Sequence, residues 1–133
     1  LVKSWAIDPD IAQKNEVIDE ILNYVGDPKQ MGPSRLFRYR LVVDEALTNA
    51  VTHGSPAGSN EKINVQLCMD DEIWVIRIED QGPGFDLSGL PDITDPDLQF
   101  EEHGRGILIL ERYTRRVVYA DRGRSLTVWM NIE

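Results

Sequence analysis

The sequence predicts an α+β two-layer sandwich, a mostly antiparallel mixed sheet with three main helices on one face. Three observations predict it. Apolar residues keep helical spacing in two stretches of the N-terminal half, and the spacing then changes to a period of two at Ile63. The segments follow the order strand, helix, helix, strand, strand, helix, strand, strand, in which short strand pairs favour antiparallel neighbours. The 133 residues suit one domain, 1–133, long enough to bury a real core.

Val2 to Ile7 reads as a short strand. Asp8-Pro9 then offers a cap with proline in the first helical turn. The first helix carries Ile11, Val17, Ile18, Ile21, Leu22 and Val25 at helical spacing and ends at Gly26-Asp27-Pro28. A second helix runs from about Ser34 to His53, where Gly54-Ser55-Pro56-Ala57-Gly58-Ser59 reads as a loop. Ile63, Val65, Leu67 and Met69 alternate with Asn64, Gln66 and Cys68, the pattern of a half-buried strand. Asp70-Asp71 turns the chain into Ile73 to Glu79, where Trp74, Ile76, Ile78 and then Asp80 share a face. Phe85 to His103 contains Pro91, Pro96 and several acidic groups without a sustained period, and reads as a mobile loop. A third helix starts near Gly104 and carries Ile107 to Leu110 as far as about Tyr113. Two closing strands, Arg115 to Ala120 and Ser125 to Ile132, flank the turn Asp121-Arg122-Gly123-Arg124.

Composition removes several function classes. With 23 acidic against 14 basic side chains, the formal net charge of -9 repels nucleic-acid phosphates, so direct nucleic-acid binding is disfavoured. No stretch reaches the roughly 18 consecutive apolar residues of a membrane span, and none is expected to insert. Cys68 is the only cysteine, which leaves no intrachain disulfide and suits a reducing, cytoplasmic compartment. No basic segment precedes an apolar run at the N-terminal end, so nothing there reads as a signal peptide.

The residues most able to carry chemistry are Glu45 and Asn49. One helical turn separates them, about 6 Å along the axis and on one face. Asparagine is a poor residue for a helix interior, and Ala46, Leu47, Ala50 and Val51 around it are apolar, so this polar stripe is expected to line a cleft. Asn49 offers a neutral oxygen suited to Mg²⁺, and Glu45 a base for an attacking hydroxyl or water. Asp44 is the rival carboxylate, roughly 100° away on the helical wheel. His53 is one turn beyond Asn49, where a helix-end polar group and a phosphate or metal contact are both open readings.

Asp80 sits at a strand end on the face of Trp74, Ile76 and Ile78, where a carboxylate needs a donor to offset its burial. A purine amino group is one such donor. Gly82 and Gly84 would let backbone approach a flat ring closely, and Gly104-Arg105-Gly106 opens a helix whose free amides favour phosphate. Arg105 would add a charge-assisted contact to the terminal phosphate. The chain has neither a Gly-x-x-x-x-Gly-Lys-Ser/Thr loop nor a dinucleotide-binding glycine fingerprint.

Glu45-x-x-x-Asn49-x-x-x-His53-Gly54, Asp80-x-Gly82-x-Gly84 and Gly104-x-Gly106, in this order, resemble the N, G1 and G2 boxes of the GHKL ATPase superfamily. Within it the chain looks most like the anti-sigma factor serine kinases, which share the style of its Glu45 to Gly54 segment. The resemblance implies the Bergerat fold and Mg·ATP as cofactor. It casts Glu45 as catalytic base, Asn49 as Mg²⁺ ligand, Asp80 as the adenine-reading carboxylate and the four glycines as the nucleotide cradle. Phe85 to His103 would be the ATP lid, and Thr127 matches a strand threonine near the adenine. It further implies transfer of the ATP γ-phosphoryl group to a serine of a STAS-type anti-sigma antagonist, control of a sigma factor, and a homodimer. Some relatives carry a basic residue where this chain has Thr52, so neutralisation would lean on Arg105 and Mg²⁺. Two other readings stand beside this one: an ATP-binding anti-sigma or scaffold module with little kinase activity, and the catalytic domain of a histidine kinase.

Overall fold

A computed structural model describes residues 1–53, 62–81, 109–120 and 124–132. Strand β1 (Lys3–Ile7) leads into helix α1 (Ile11–Val25), a single-turn helix α2 (Pro28–Met31) and the long helix α3 (Pro33–His53). Strands β2 (Ile63–Met69) and β3 (Ile73–Glu79) form a hairpin, and β4 (Arg116–Ala120) and β5 (Ser125–Asn131) close the chain. Residues 109–113 are helical, while the expected start of that third helix near Gly104 lies outside the described residues. The five strands stand in the order β1-β2-β3-β5-β4. All four neighbouring pairs are antiparallel, so the expected mixed character does not arise among the described residues.

The core lies between the helices and one face of the sheet. Helix α1 contributes Val17, Ile18, Ile21, Leu22 and Val25, and α3 contributes Tyr39, Val42, Val43, Ala46, Leu47 and Ala50, both at the three-and-four spacing of a buried helical stripe. They meet Ile63, Val65, Leu67, Trp74, Ile76, Ile78, Leu126, Val128 and Met130, the alternate residues of the three inner strands. The Tyr39 ring lies edge-on to Trp74 at 5.2 Å, and its hydroxyl donates to the Asn131 carbonyl at 2.9 Å, tying α3 to the end of β5.

Three local expectations need correction. The α1 cap is Asp10, whose carboxylate accepts the Ala12 N–H at 3.0 Å; Asp8 instead bonds Gln13 and Lys62. Ile11, in the first turn, is 65% exposed, because the buried stripe begins only at Val17. Asp27-Pro28 ends α1 and also starts α2, since Asp27 caps the Lys29 N–H and proline suits the first helical position. Gly32 then turns the chain into α3 with φ +85°, a backbone angle that side chains disfavour.

Candidate functional site

Helix α3 buries one stripe and leaves two half-buried polar rows beside it, Asp44 with Thr48 and Glu45 with Asn49. Within each row the residues are one turn apart, and the rows are offset by about 100°. The two rows meet different neighbours. Lys14 reaches from α1 to the first row, donating to Asp44 Oδ1 at 2.9 Å and to Thr48 Oγ1 at 3.1 Å. Asp44, the rival carboxylate, is therefore committed to a structural bridge.

The second row faces Tyr119 of β4. Antiparallel register sets Tyr119 opposite Leu126 and Leu126 opposite Ile78, which places all three on the helix-facing side. The Tyr119 hydroxyl oxygen is shielded from solvent, and the Asn49 side chain is among the groups that act on it. Burial pushes its pKa up to about 12, the negative field of Glu111 adds to this, the Asn49 contact opposes it, and Glu45 raises it further. The hydroxyl is thus neutral at physiological pH and sits within the field of two carboxylates. Sequence reasoning missed Tyr119. Alternation in Arg116 to Ala120 could have put Val117 and Tyr119 on one face, but nothing in the sequence said that this face meets α3.

Asp80 follows β3 and is half-buried on the side of Trp74, Ile76 and Ile78. Its backbone N–H donates to the Arg124 carbonyl at 2.9 Å, which extends the β3–β5 pairing past the strand end. A cleft of about 270 Å³ lined by Arg77, Glu79, Asp80, Ala120 and Ser125 among others opens at this strand end, on the sheet face away from the helices. Tyr119 is level with Ile78 two strands across, about 10 Å away at the usual strand spacing. Asp80 lies two residues further along the same face, so the Glu45–Asn49 row and Asp80 border one end of the sheet on its helical side.

His53 ends α3, and its side chain lies outside the described residues, as do Gly82, Gly84, Gly104, Arg105, Gly106 and the Phe85 to His103 segment. Thr127 is the residue that the fold does not bring to this edge. It pairs with Arg77 and Val118, and strand alternation points these three away from the helices, whereas its neighbour Leu126 faces them.

The donor chemistry fits a hard divalent ion carried in with a nucleotide. Glu45 and Asn49 present a carboxylate and a carboxamide on one helical face. No group of three or more His, Cys, Asp or Glu side chains that could hold a metal occurs among the described residues. One or two protein oxygens completed by phosphate and water is the arrangement that Mg²⁺ accepts and a closed structural site does not.

A layer of helices over an antiparallel sheet, with a polar helical face and a strand-end aspartate at one edge, is an architecture that suits an ATPase domain. Residues 7–132 match the family described as the Histidine kinase-like ATPase domain, and the chain belongs to that family. It is similar to an "Anti-sigma F factor" of Geobacillus stearothermophilus, 27% identical over 113 residues that make up 76% of this chain and 73% of that protein. Proteins of the same name from Bacillus velezensis and Bacillus subtilis are 31% identical over 90 residues, 63% of this chain and 60% of theirs. No helix among the described residues is long and apolar enough to cross a membrane.

Proposed function

We propose that this chain is a Mg·ATP-dependent protein serine kinase of a partner-switching system, transferring the ATP γ-phosphoryl group to a serine of a STAS-type anti-sigma antagonist. The observation that carries the proposal is the division of labour on α3: Asp44 is held by Lys14, while Glu45 and Asn49 lie beside Tyr119. Membership of the ATPase family and similarity to proteins named anti-sigma F factor support it. A sigma factor as second partner, a homodimer and a cytoplasmic location belong to the same reading.

Phosphoryl transfer asks for alignment, charge neutralisation and a base near the hydroxyl, with little covalent chemistry from the protein. Glu45 would take the proton of the incoming serine hydroxyl. Asn49 would ligate Mg²⁺ through its side-chain oxygen. When bound, Mg²⁺ neutralises phosphate charge as the transferring group moves. Asp80 would accept the adenine amino group and orient the base. Gly82, Gly84, Gly104 and Gly106 would admit the nucleotide, with Arg105 and His53 toward the phosphates.

The test is incubation of the purified protein with Mg²⁺, labelled ATP and a STAS partner. Phosphoserine on the partner, lost in Glu45→Gln with ATP affinity retained, is the expected result. Intact ATP binding with no phosphoserine from the unaltered protein would overturn the proposal.

A further inference from the structure

We propose that the end of the domain away from Asp80 is a docking surface for an acidic segment of a partner protein, gripped by Arg115 and Arg116 at the start of β4. This surface does not depend on the nucleotide chemistry of the other end. The chain as a whole carries -9, yet Arg112-Tyr113-Thr114-Arg115-Arg116 holds three exposed arginines and no acid. Arg35 and Arg38 stand at the same end, because the hydroxyl of neighbouring Tyr39 bonds the Asn131 carbonyl and Arg115 donates to the Asn131 side chain at 3.4 Å. Among the described residues the acids here are Asp70, Asp71 and Glu72 of the β2–β3 turn, which reaches Ile132 through the Glu72 carbonyl. Asp70 spends its carboxylate on the N–H groups of Glu72 and Ile73. An acidic chain with an arginine-rich end attracts an acidic partner there and repels it elsewhere.

Two guanidinium groups are held ready. Arg116 lies over the Trp129 ring, 5.2 Å from its centroid, and Arg115 is tethered to Asn131, two residues along β5 on the same face. The two anchors are thus about 7 Å apart, the spacing of alternate residues in an extended chain, so carboxylates at alternate positions of a segment would meet both forks. Neither arginine makes an ion pair with a described residue. Arginine and aromatic side chains without lysine are the composition of interface cores. Charge that only guards a strand edge needs no such ordering, and lysine is its usual carrier. Arg116 is four residues from Ala120, which stands opposite Ser125 at the Asp80 end, so about 13 Å keeps these charges clear of that end. A long nucleic acid or a membrane would run past the arginines onto acidic surface, whereas a short acidic protein segment fits within them.

The probe is an oligoglutamate peptide, titrated into the ¹⁵N-labelled protein for location and, carrying fluorescein, followed by anisotropy for affinity. The Trp129 indole N–H signal, identified by its loss in Trp129→Phe, should shift in the ¹H–¹⁵N spectrum while those of Trp5 and the buried Trp74 stay. An unmoved Trp129 signal at the highest peptide concentration overturns the proposal. Removing an interface arginine costs a factor of about five or more, so the double variant Arg115→Gln with Arg116→Gln should bind roughly 10-fold or more weakly. Lys3→Gln with Lys29→Gln removes the same charge elsewhere and should bind as the native protein does. Equal losses in the two double variants mean diffuse charge attraction and overturn the docking surface. The same spectra report folding; should the arginine double variant not fold, Arg116→Gln alone is read, with a loss of about fivefold expected and unchanged affinity overturning the assignment. Tighter binding of an oligonucleotide or of phosphatidylserine vesicles through the same arginines, at equal ionic strength, would overturn the acidic protein segment as occupant.

Discussion

Asp44→Asn should cost more stability than Lys14→Met, although the two changes break the same bridge. The side chain of Lys14 is 13% exposed and that of Asp44 is 42% exposed, with 2.9 Å between the charged atoms. Removing one partner of a fully buried pair costs about 3–5 kcal/mol, because a charge is left uncompensated, whereas an exposed pair is worth only about 0–1 kcal/mol. Asp44→Asn strands an ammonium group close to the buried limit with the Thr48 hydroxyl at 3.1 Å, so about 2–3 kcal/mol is expected. Lys14→Met preserves the alkyl packing and leaves a carboxylate that rehydrates, for about 1 kcal/mol. The double variant has no stranded charge and should cost less than the sum of the two. Urea denaturation at neutral pH measures all four corners of the cycle, with unchanged slopes as the check on two-state behaviour. A Lys14→Met cost equal to or above that of Asp44→Asn, or an additive double variant, would refute the reasoning. Folded Asp44→Asn should also still transfer phosphate, and its failure would return the base assignment to Asp44.

Asp80→Asn should weaken binding of ATP and ADP alike, with or without Mg²⁺, by calorimetry; a loss confined to Mg·ATP would place Asp80 at the phosphates instead. Tyr39→Phe removes the bond to the Asn131 carbonyl and should lower stability by about 1 kcal/mol, read as a shift in the urea midpoint. The Asp70 carboxylate accepts the N–H groups of Glu72 and Ile73 at 2.7 and 2.9 Å, which hold its pKa below the usual 3.8. A depressed carboxylate contributes stability above its unfolded value and loses it as pH falls through the folded one. The stability gap between the native protein and Asp70→Ala should therefore be full at pH 6 and shrink below about pH 4, a comparison made by denaturation across that range.

The period change at Ile63 was legible because a half-buried strand must alternate, and β2, β3 and β5 follow that pattern to within a residue of their expected ends. Helix α3 was equally plain, since Tyr39, Val42, Val43, Ala46, Leu47 and Ala50 repeat at three and four. What escaped were properties of pairs distant in sequence. Lys14 and Asp44 are 30 positions apart, and nothing local to either shows that α1 crosses α3 at that point. Tyr119 reaches Asn49 only because β5 inserts between β3 and β4. Thr127 stands one position from the helix-facing Leu126, and in a strand a single position exchanges one face for the other.

The insertion of β5 between β3 and β4 also bears on how the sheet comes together. β5 fills the place between β3 and β4, and β4 has no neighbour but β5 among the described residues. Until Ser125–Asn131 has paired, β3 keeps an open edge on that side. Long-range pairing of this kind is slow and leaves nascent chains prone to association. Loss of β5 alone would remove both β4 and β5 from the sheet, and with them the tyrosine beside Asn49, so this edge of the domain hangs on the pairing of one strand.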